Sequence, residues 1–266
     1  MARRWTMAFL ALGFAACQAK AKVKATQTAF VAGPGTGLAV APPQGYTGGP
    51  VTGGGTIRGR VTFSGKIPKL PAARCARDPD ICGRPRPDER LRVDPGGGVE
   101  NTIVSLTDIH AGKPLPAKAR AKLDIHACNY TPRVQALPLG TSLLVTNRDH
   151  IPHDLNAARG DRVLFNRVVM ADQERVDLSV PGMLLIDCDA HHRDAPCETG
   201  VVGVMSNPYY AVTGADGTFS LAEVPPGTYT LTAWHEMLGE KSARVTVAAS
   251  GTATADVAFA GLPAHR

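Results

Sequence analysis

The chain has 266 residues, 44% of them hydrophobic and 5% aromatic, with 29 Lys and Arg against 23 Asp and Glu for a formal net charge of +6. That length allows one or two ordinary domains with a sizeable core, and the apolar content excludes disorder throughout. The only long uncharged apolar run lies at the extreme N-terminus, which excludes a multi-span helical membrane protein, and 28 Gly with 21 Pro lean towards a loop-rich β protein.

Arg3 and Arg4 precede an uncharged stretch from Trp5 to Ala16. The stretch is too short to span a bilayer, and its flanks suit a secretory signal. Cys17 follows Ala15 and Ala16. Residues 1–17 resemble the bacterial lipoprotein signal, in which that Cys is lipidated and becomes the first mature residue, although Phe14 stands where Leu is usual. The plainer reading is a signal peptide with a chance Cys. Loss of residues 1–16 removes two Arg and no acid, lowering the charge from +6 to +4. There is no dense basic run with interleaved aromatics, so no nucleic-acid partner is expected. Residues 18–54 are expected to be a linker: Gly and Pro crowd the run from 32 to 55, and such a run buries no core.

From Thr56 the pattern becomes alternation. TIRGRVTFSG sets Ile57, Gly59, Val61 and Phe63 on one face; TSLLVTN sets Leu143 and Val145; ERVDLSV sets Val176, Leu178 and Val180. GMLLID is a continuous apolar run, expected to be buried on both faces. TYTLTAW alternates Tyr229, Leu231 and Ala233 against threonines, and ARVTVAA places Val245 and Val247 together. Period two in short runs, punctuated by Gly, Pro and Asp, predicts a sandwich or barrel. The one helical suggestion is a turn or two at AKARAK, 117–122.

Two stretches carry chemistry: TNRDHIPHDLNA (146–157) and PGMLLIDCDAHHRDAPC (181–197). The second ends a strand in Cys188 with His191 three residues on; the first supplies His153 from a loop between strands. One thiolate and two imidazoles suit a borderline transition metal, and a trigonal His₂Cys set with a weak fourth ligand is the blue-copper arrangement. Against this stand a Cys188–Cys197 disulfide that would remove the site, a solvated His191–His192 pair, and His153 as a plain turn residue. His110, His126 and His150 read as surface residues, and His235 as a structural, hydrogen-bonded histidine. If Cys17 is lipidated, five cysteines remain, an odd number in an oxidising compartment. With Cys188 a ligand, Cys75, Cys82, Cys128 and Cys197 can pair in three ways.

The chain resembles the cupredoxin (plastocyanin-like) family, and more narrowly an exported bacterial group joining a cupredoxin to a carboxypeptidase-regulatory-like sandwich. The matching residues are Asn147 and Asp149 before His153, Pro181-Gly182, Cys188-Asp-Ala-His191, Asn207-Pro208-Tyr209, and GADGTFSLAEVPPGTYTLTAWHE (214–236). The resemblance implies an all-β fold, a cupredoxin-like Greek-key sandwich nested in or next to a carboxypeptidase-regulatory-like (prealbumin-like) sandwich. The expected division is 55–123 with 207–260 for the regulatory-like sandwich and 124–206 for the cupredoxin-like domain. It also implies one type-1-like copper held by His153, Cys188 and His191, and a Cys82–Cys128 disulfide that leaves Cys75 with Cys197. The family's axial Met is expected near 194, where this chain has Asp194. The fourth ligand is therefore open between Asp194, His192 and Met205, or none. A site without a thioether suits Zn(II) as well as copper.

These readings give one leading expectation: an exported protein, lipid-anchored at Cys17 to the membrane on the periplasmic side or cell surface. As a monomer it passes single electrons to a redox partner protein in the cell envelope. The alternatives are a copper sequestration or delivery module, and an interaction lipoprotein with a decayed site. No enzyme is expected: there is no Gly-x-Ser-x-Gly, no phosphate-binding loop and no His-Glu-x-x-His.

Overall fold

The computed structural model describes residues 45–75, 78–117, 119–170, 172–188 and 199–262. The signal stretch with Cys17, and the loop holding His191, His192, Asp194 and Cys197, lie outside them. In chain order the elements are β1 (Thr47–Gly48), β2 (Gly55–Phe63), the one-turn helix α1 (Pro79–Cys82), β3 (Ile103–Leu106) and β4 (Ala111–Gly112). Next come β5 (Arg120–His126), β6 (Asn129–Thr131), β7 (Val134–Pro138), β8 (Ser142–Asn147), β9 (His153–Arg159), β10 (Arg162–Val169), β11 (Gln173–Asp177), β12 (Gly182–Cys188) and β13 (Thr199–Met205). The chain closes with β14 (Tyr210–Val212), β15 (Thr218–Val224), β16 (Gly227–His235), β17 (Gly239–Val247), β18 (Thr252–Thr254) and β19 (Val257–Phe259).

The protein is all-β, and its strands sort into two sandwiches. In the first, the sheet β14-β3-β16-β17 faces β15-β2-β18, with β19 also on β2. Its core joins Ile57, Val61 and Phe63 of β2 to Leu231, Val245 and Val247 of the opposite sheet. In the second, the sheet β10-β9-β12-β13-β7 faces β11-β8-β5-β6. There Leu155, Ile186 and Val202 meet Leu123, Leu143 and Val145. Of the alternating residues read from the sequence, Ile57, Val61, Phe63, Leu143, Val145, Val176, Leu178, Leu231, Ala233, Val245 and Val247 are buried, because a strand turns successive side chains to opposite faces. The chain builds β2 and β3 of the first sandwich, then the whole of the second, then returns at β14.

The sandwiches touch through outward faces. Ile103 and Trp234 of the first pack with Val134, Val201, Met205 and Met183 of the second. Burying apolar area on both faces of β3 and β13 welds the two cores together.

Four expectations change. Residues 45–54 are part of the fold rather than linker: Tyr46 is buried in the first core and its hydroxyl donates to the Lys113 carbonyl at 2.6 Å. One aromatic ring anchors a Gly-rich segment that has little else to bury. Residues 120–122 of AKARAK are strand, since β5 gains a parallel partner in β8. The second sandwich therefore starts near Arg120 rather than 124. GMLLID is buried on one face only at its centre, with Leu185 46% exposed between buried Leu184 and Ile186. Val180, grouped with Val176 and Leu178, is exposed.

Gly59 marks a close approach on β2. A Cβ there would run into the Ala255 carbonyl oxygen and press on the Phe219 ring at 2.7 Å. Gly59→Ala is expected to destabilise the first sandwich by about 1–3 kcal/mol through overpacking. Thermal unfolding checks this, and an unchanged midpoint would show that the 255 segment gives way freely.

Candidate metal centre

His153 opens β9 and Cys188 closes β12, and these two strands are antiparallel neighbours with Cys188 opposite Leu155. Alternation sends His153 inward with Leu155 and Ala157, and Cys188 inward with Leu184 and Ile186. Both side chains are fully buried at the same end of the second sandwich. The backbone amide of Asp154 donates to Cys188 Sγ at 3.3 Å, so the sulfur lies against the backbone immediately after His153. Cys188 carries a buried thiol and is not in a disulfide, which removes the Cys188–Cys197 bridge.

The loop into His153 is held by two polar side chains. Asn147, the last residue of β8, donates from Nδ2 to the carbonyls of Ile151 (2.8 Å) and Val169 (3.0 Å). Its Oδ1 accepts the Asp149 amide at 2.9 Å. The Asp149 carboxylate is buried and accepts the Ala127 amide on Oδ1 (2.7 Å) and the Cys128 amide on Oδ2 (3.0 Å). Oδ2 also meets His153 Nε2 at 2.9 Å. Burial raises the pKa of this carboxyl, but the two amides and His153 outweigh it, and the group sits below its ordinary value. An ionised carboxylate is acceptor-only, so the proton of this contact sits on His153 Nε2.

A thiol on one strand end and an imidazole on the next are donors suited to copper or zinc. His191, the third expected donor, and Asp194 and His192, expected as fourth, lie outside the described residues. Met205 is placed elsewhere. In the β12–β13 register, Val204 pairs with Gly182 and Thr199 with Asp187. That puts Met205 about 23 Å along the strands from Cys188, since seven strand residues rise about 3.3 Å each. Its sulfur packs between the sandwiches instead.

Cys82 and Cys128 form a disulfide, the pairing the resemblance implied, and Cys75 is also disulfide-bonded. Cys197 lies outside the described residues. The grouping of Cys75, Cys82 and Cys128 sulfurs within 4.8 Å of one another is thus disulfide packing. His110 and His150 are exposed, and His126 is 73% exposed beside Asp149. His235 is buried in the first sandwich, its Nδ1 accepting the Met237 amide at 3.1 Å. The roles of Asp149 and of the Asp154 amide were not assigned from the sequence. The signal available was Asn-x-Asp at a strand end, four residues before a histidine.

Residues 195–260 match the carboxypeptidase regulatory-like domain. The match starts before β13 of the second sandwich and runs through the first sandwich's C-terminal strands, leaving β2 and β3 outside it. No curated protein matches the chain. Among solved structures, the chain is similar to a purple cupredoxin from Nitrosopumilus maritimus, at 26% identity over 32% of this chain and 99% of that one, TM-score 0.27. It is similar to a reduced Cu(I) form of an amicyanin mutant at 19% identity, over 34% of this chain and 86% of that one, TM-score 0.29. It is also similar to a copper-containing nitrite reductase from Thermus scotoductus SA-01 at 18% identity, over 38% of this chain and 25% of that one, TM-score 0.28. The protein is a two-sandwich β protein. The segment that matches the carboxypeptidase regulatory-like domain spans β13 of the second sandwich and the C-terminal strands of the first.

Proposed function

We propose that this chain is an exported, membrane-tethered copper protein of cupredoxin type that passes single electrons to a partner protein in the cell envelope. His153 and Cys188 would hold the metal, with His191, expected from the sequence, as the third ligand. The observation that carries this reading is the buried pair at one strand end. Its sulfur already accepts the Asp154 amide, and its imidazole has Nε2 committed to Asp149. Copper supplies a one-electron couple when bound. The chain supplies stiffness: both donors sit on paired strands, and the Asn147 bonds pin the loop that leads into His153. The Asp154 N–H···S bond withdraws charge from the sulfur, a lever on potential that hydrogen bonding around a ligand provides. Tethering follows from Cys17 and export from the N-terminal stretch.

Adding Cu(II) to the full chain is expected to produce an intense visible thiolate-to-copper absorption that Cys188→Ser abolishes. No such band in the wild type, or an undiminished band in the variant, overturns the reading. The position of Met205 at the far end of β12–β13 favours a second version, in which the site stores or delivers copper. A copper band that a mild reductant does not bleach selects that version.

A further inference from the structure

The turn between β5 and β6 has an unusual backbone. Ala127 and Cys128 both sit in the left-handed region, with φ of 48° and 55°. A two-residue hairpin turn of this kind normally uses Asn-Gly or Gly, because a residue with a Cβ is strained there. Here the conformation aims two consecutive amides at the two oxygens of Asp149. The same carboxylate meets His153 Nε2. Cys128, one of the two strained residues, is bonded to Cys82 at the end of α1. Arg86 seals this junction, donating to the Cys128 carbonyl at 2.7 Å and to the Cys82 carbonyl at 3.4 Å. The Cys128 sulfur, an Asp149 oxygen and a His153 nitrogen all lie within 4.8 Å of one another. A segment from the first sandwich's long β2–β3 connection is thereby bonded to the turn whose amides hold the carboxylate beside a histidine of the second.

We propose that Asp149 is a positioning residue that fixes His153 in the Nε2–H tautomer, and that the Cys82–Cys128 disulfide braces the strained turn whose amides hold Asp149. Reduction by a dithiol breaks the S–S bond. Two electrons and two protons pass to the cysteines, giving two thiols, and the reductant closes to its own disulfide. The turn then relaxes from its left-handed pair, the carboxylate loses two fixed donors, and the imidazole is released to exchange tautomers. A ring carrying its proton on Nδ1 presents no lone pair there, so metal retention falls with it. This last consequence rests on the metal reading above; the tautomer claim does not.

The test reads ring nitrogen shifts in the metal-free full chain with ¹⁵N-labelled histidine, at a pH where the ring is neutral, with His153→Gln assigning the signal. The wild type is expected almost wholly as Nε2–H. Asp149→Asn, Cys82→Ser with Cys128→Ser, and the wild type treated with dithiothreitol are each expected to give a large Nδ1–H fraction. Their Cu(II) affinity, measured in parallel, is expected to fall by about 10–100-fold, as for other groups that orient metal-binding histidines. An Nδ1–H ring in the untreated wild type overturns the proposal without any variant having to fold. So does an unchanged tautomer after the disulfide is gone. Wild-type protein that shows Nε2–H, loses it in these variants, and binds no copper supports the positioning role while removing the metal reading.

Discussion

Glu236→Ala is expected to destabilise the folded chain by about 3–5 kcal/mol, the usual cost of removing one partner of a buried ion pair. Glu236 follows β16 of the first sandwich, and Arg133 precedes β7 of the second. Arg133 Nη2 and Glu236 Oε1 are 2.5 Å apart, with side-chain exposures of 13% and 9%. Burial pushes the Glu236 carboxyl up, and the Arg133 and Arg90 guanidiniums oppose it; burial prevails. Apart from Asp88, whose carboxyl feels the Arg133 charge, Arg133 has little else to fall back on among the described residues. Its Nη2 reaches Thr199 Oγ1 only at 3.5 Å, and its Nη1 is buried with no hydrogen-bond partner among the described residues. Removing the carboxylate therefore strands a cation between the sandwiches. Replacing both residues by apolar ones, as in Arg133→Met with Glu236→Leu, is expected to recover most of the loss, because it also removes the desolvation cost. Urea unfolding of the two single variants and the double variant checks this. A double variant as weak as the singles would mean that the pair contributes specific geometry rather than offsetting charge.

Acidification should act through the neighbouring residue. His235 is 1% exposed, and burial first, then the Arg133 charge, lowers its pKa from 6.5 to about 4. A histidine whose folded pKa is depressed stabilises the fold in its neutral form. That contribution is complete above the unfolded value of 6.5 and is lost as pH falls through about 4. Its size is roughly 3 kcal/mol, from about 1.4 kcal/mol per pKa unit. Glu236 works in the opposite sense, since its raised folded pKa lets the fold take up a proton early and offsets part of the loss. His235→Gln isolates the histidine, as the amide oxygen can still accept the Met237 N–H. Between pH 7 and pH 4.5 the wild type should lose clearly more unfolding free energy than His235→Gln. Equal losses would show that acid weakens the protein elsewhere, as at the low-pKa carboxylates Asp88 and Asp149.

The legible part of this protein was its periodicity. Ile57, Val61 and Phe63, Leu143 and Val145, and Leu231 and Ala233 were assigned to buried faces from alternation alone, and they are the residues in the two cores. His153 and Cys188 stood out because each ends a strand pattern with a metal-binding atom, and the fold brings those ends together. Three features escaped. Met205 sits in a good strand, but which end of β12 it pairs with is a matter of register. Tyr46 is a lone aromatic in a Gly/Pro-rich run, and its core contacts come from residues far along the chain. Glu236 and Arg133 are separated by about a hundred residues, and nothing local marks them as partners.

Residue order by itself determined that the chain would form short amphipathic strands around two apolar cores, since side-chain direction in a strand depends only on position. It also determined which residues could donate to a metal. Only the tertiary structure decided that Asp149 would reach the Ala127 and Cys128 amides and His153 Nε2 at once. Only it decided that a disulfide from the β2–β3 connection would stand behind that carboxylate. Such contacts join residues distant in the chain, and their cost and gain depend on which groups lose water together, a quantity that exists only once the strands have packed.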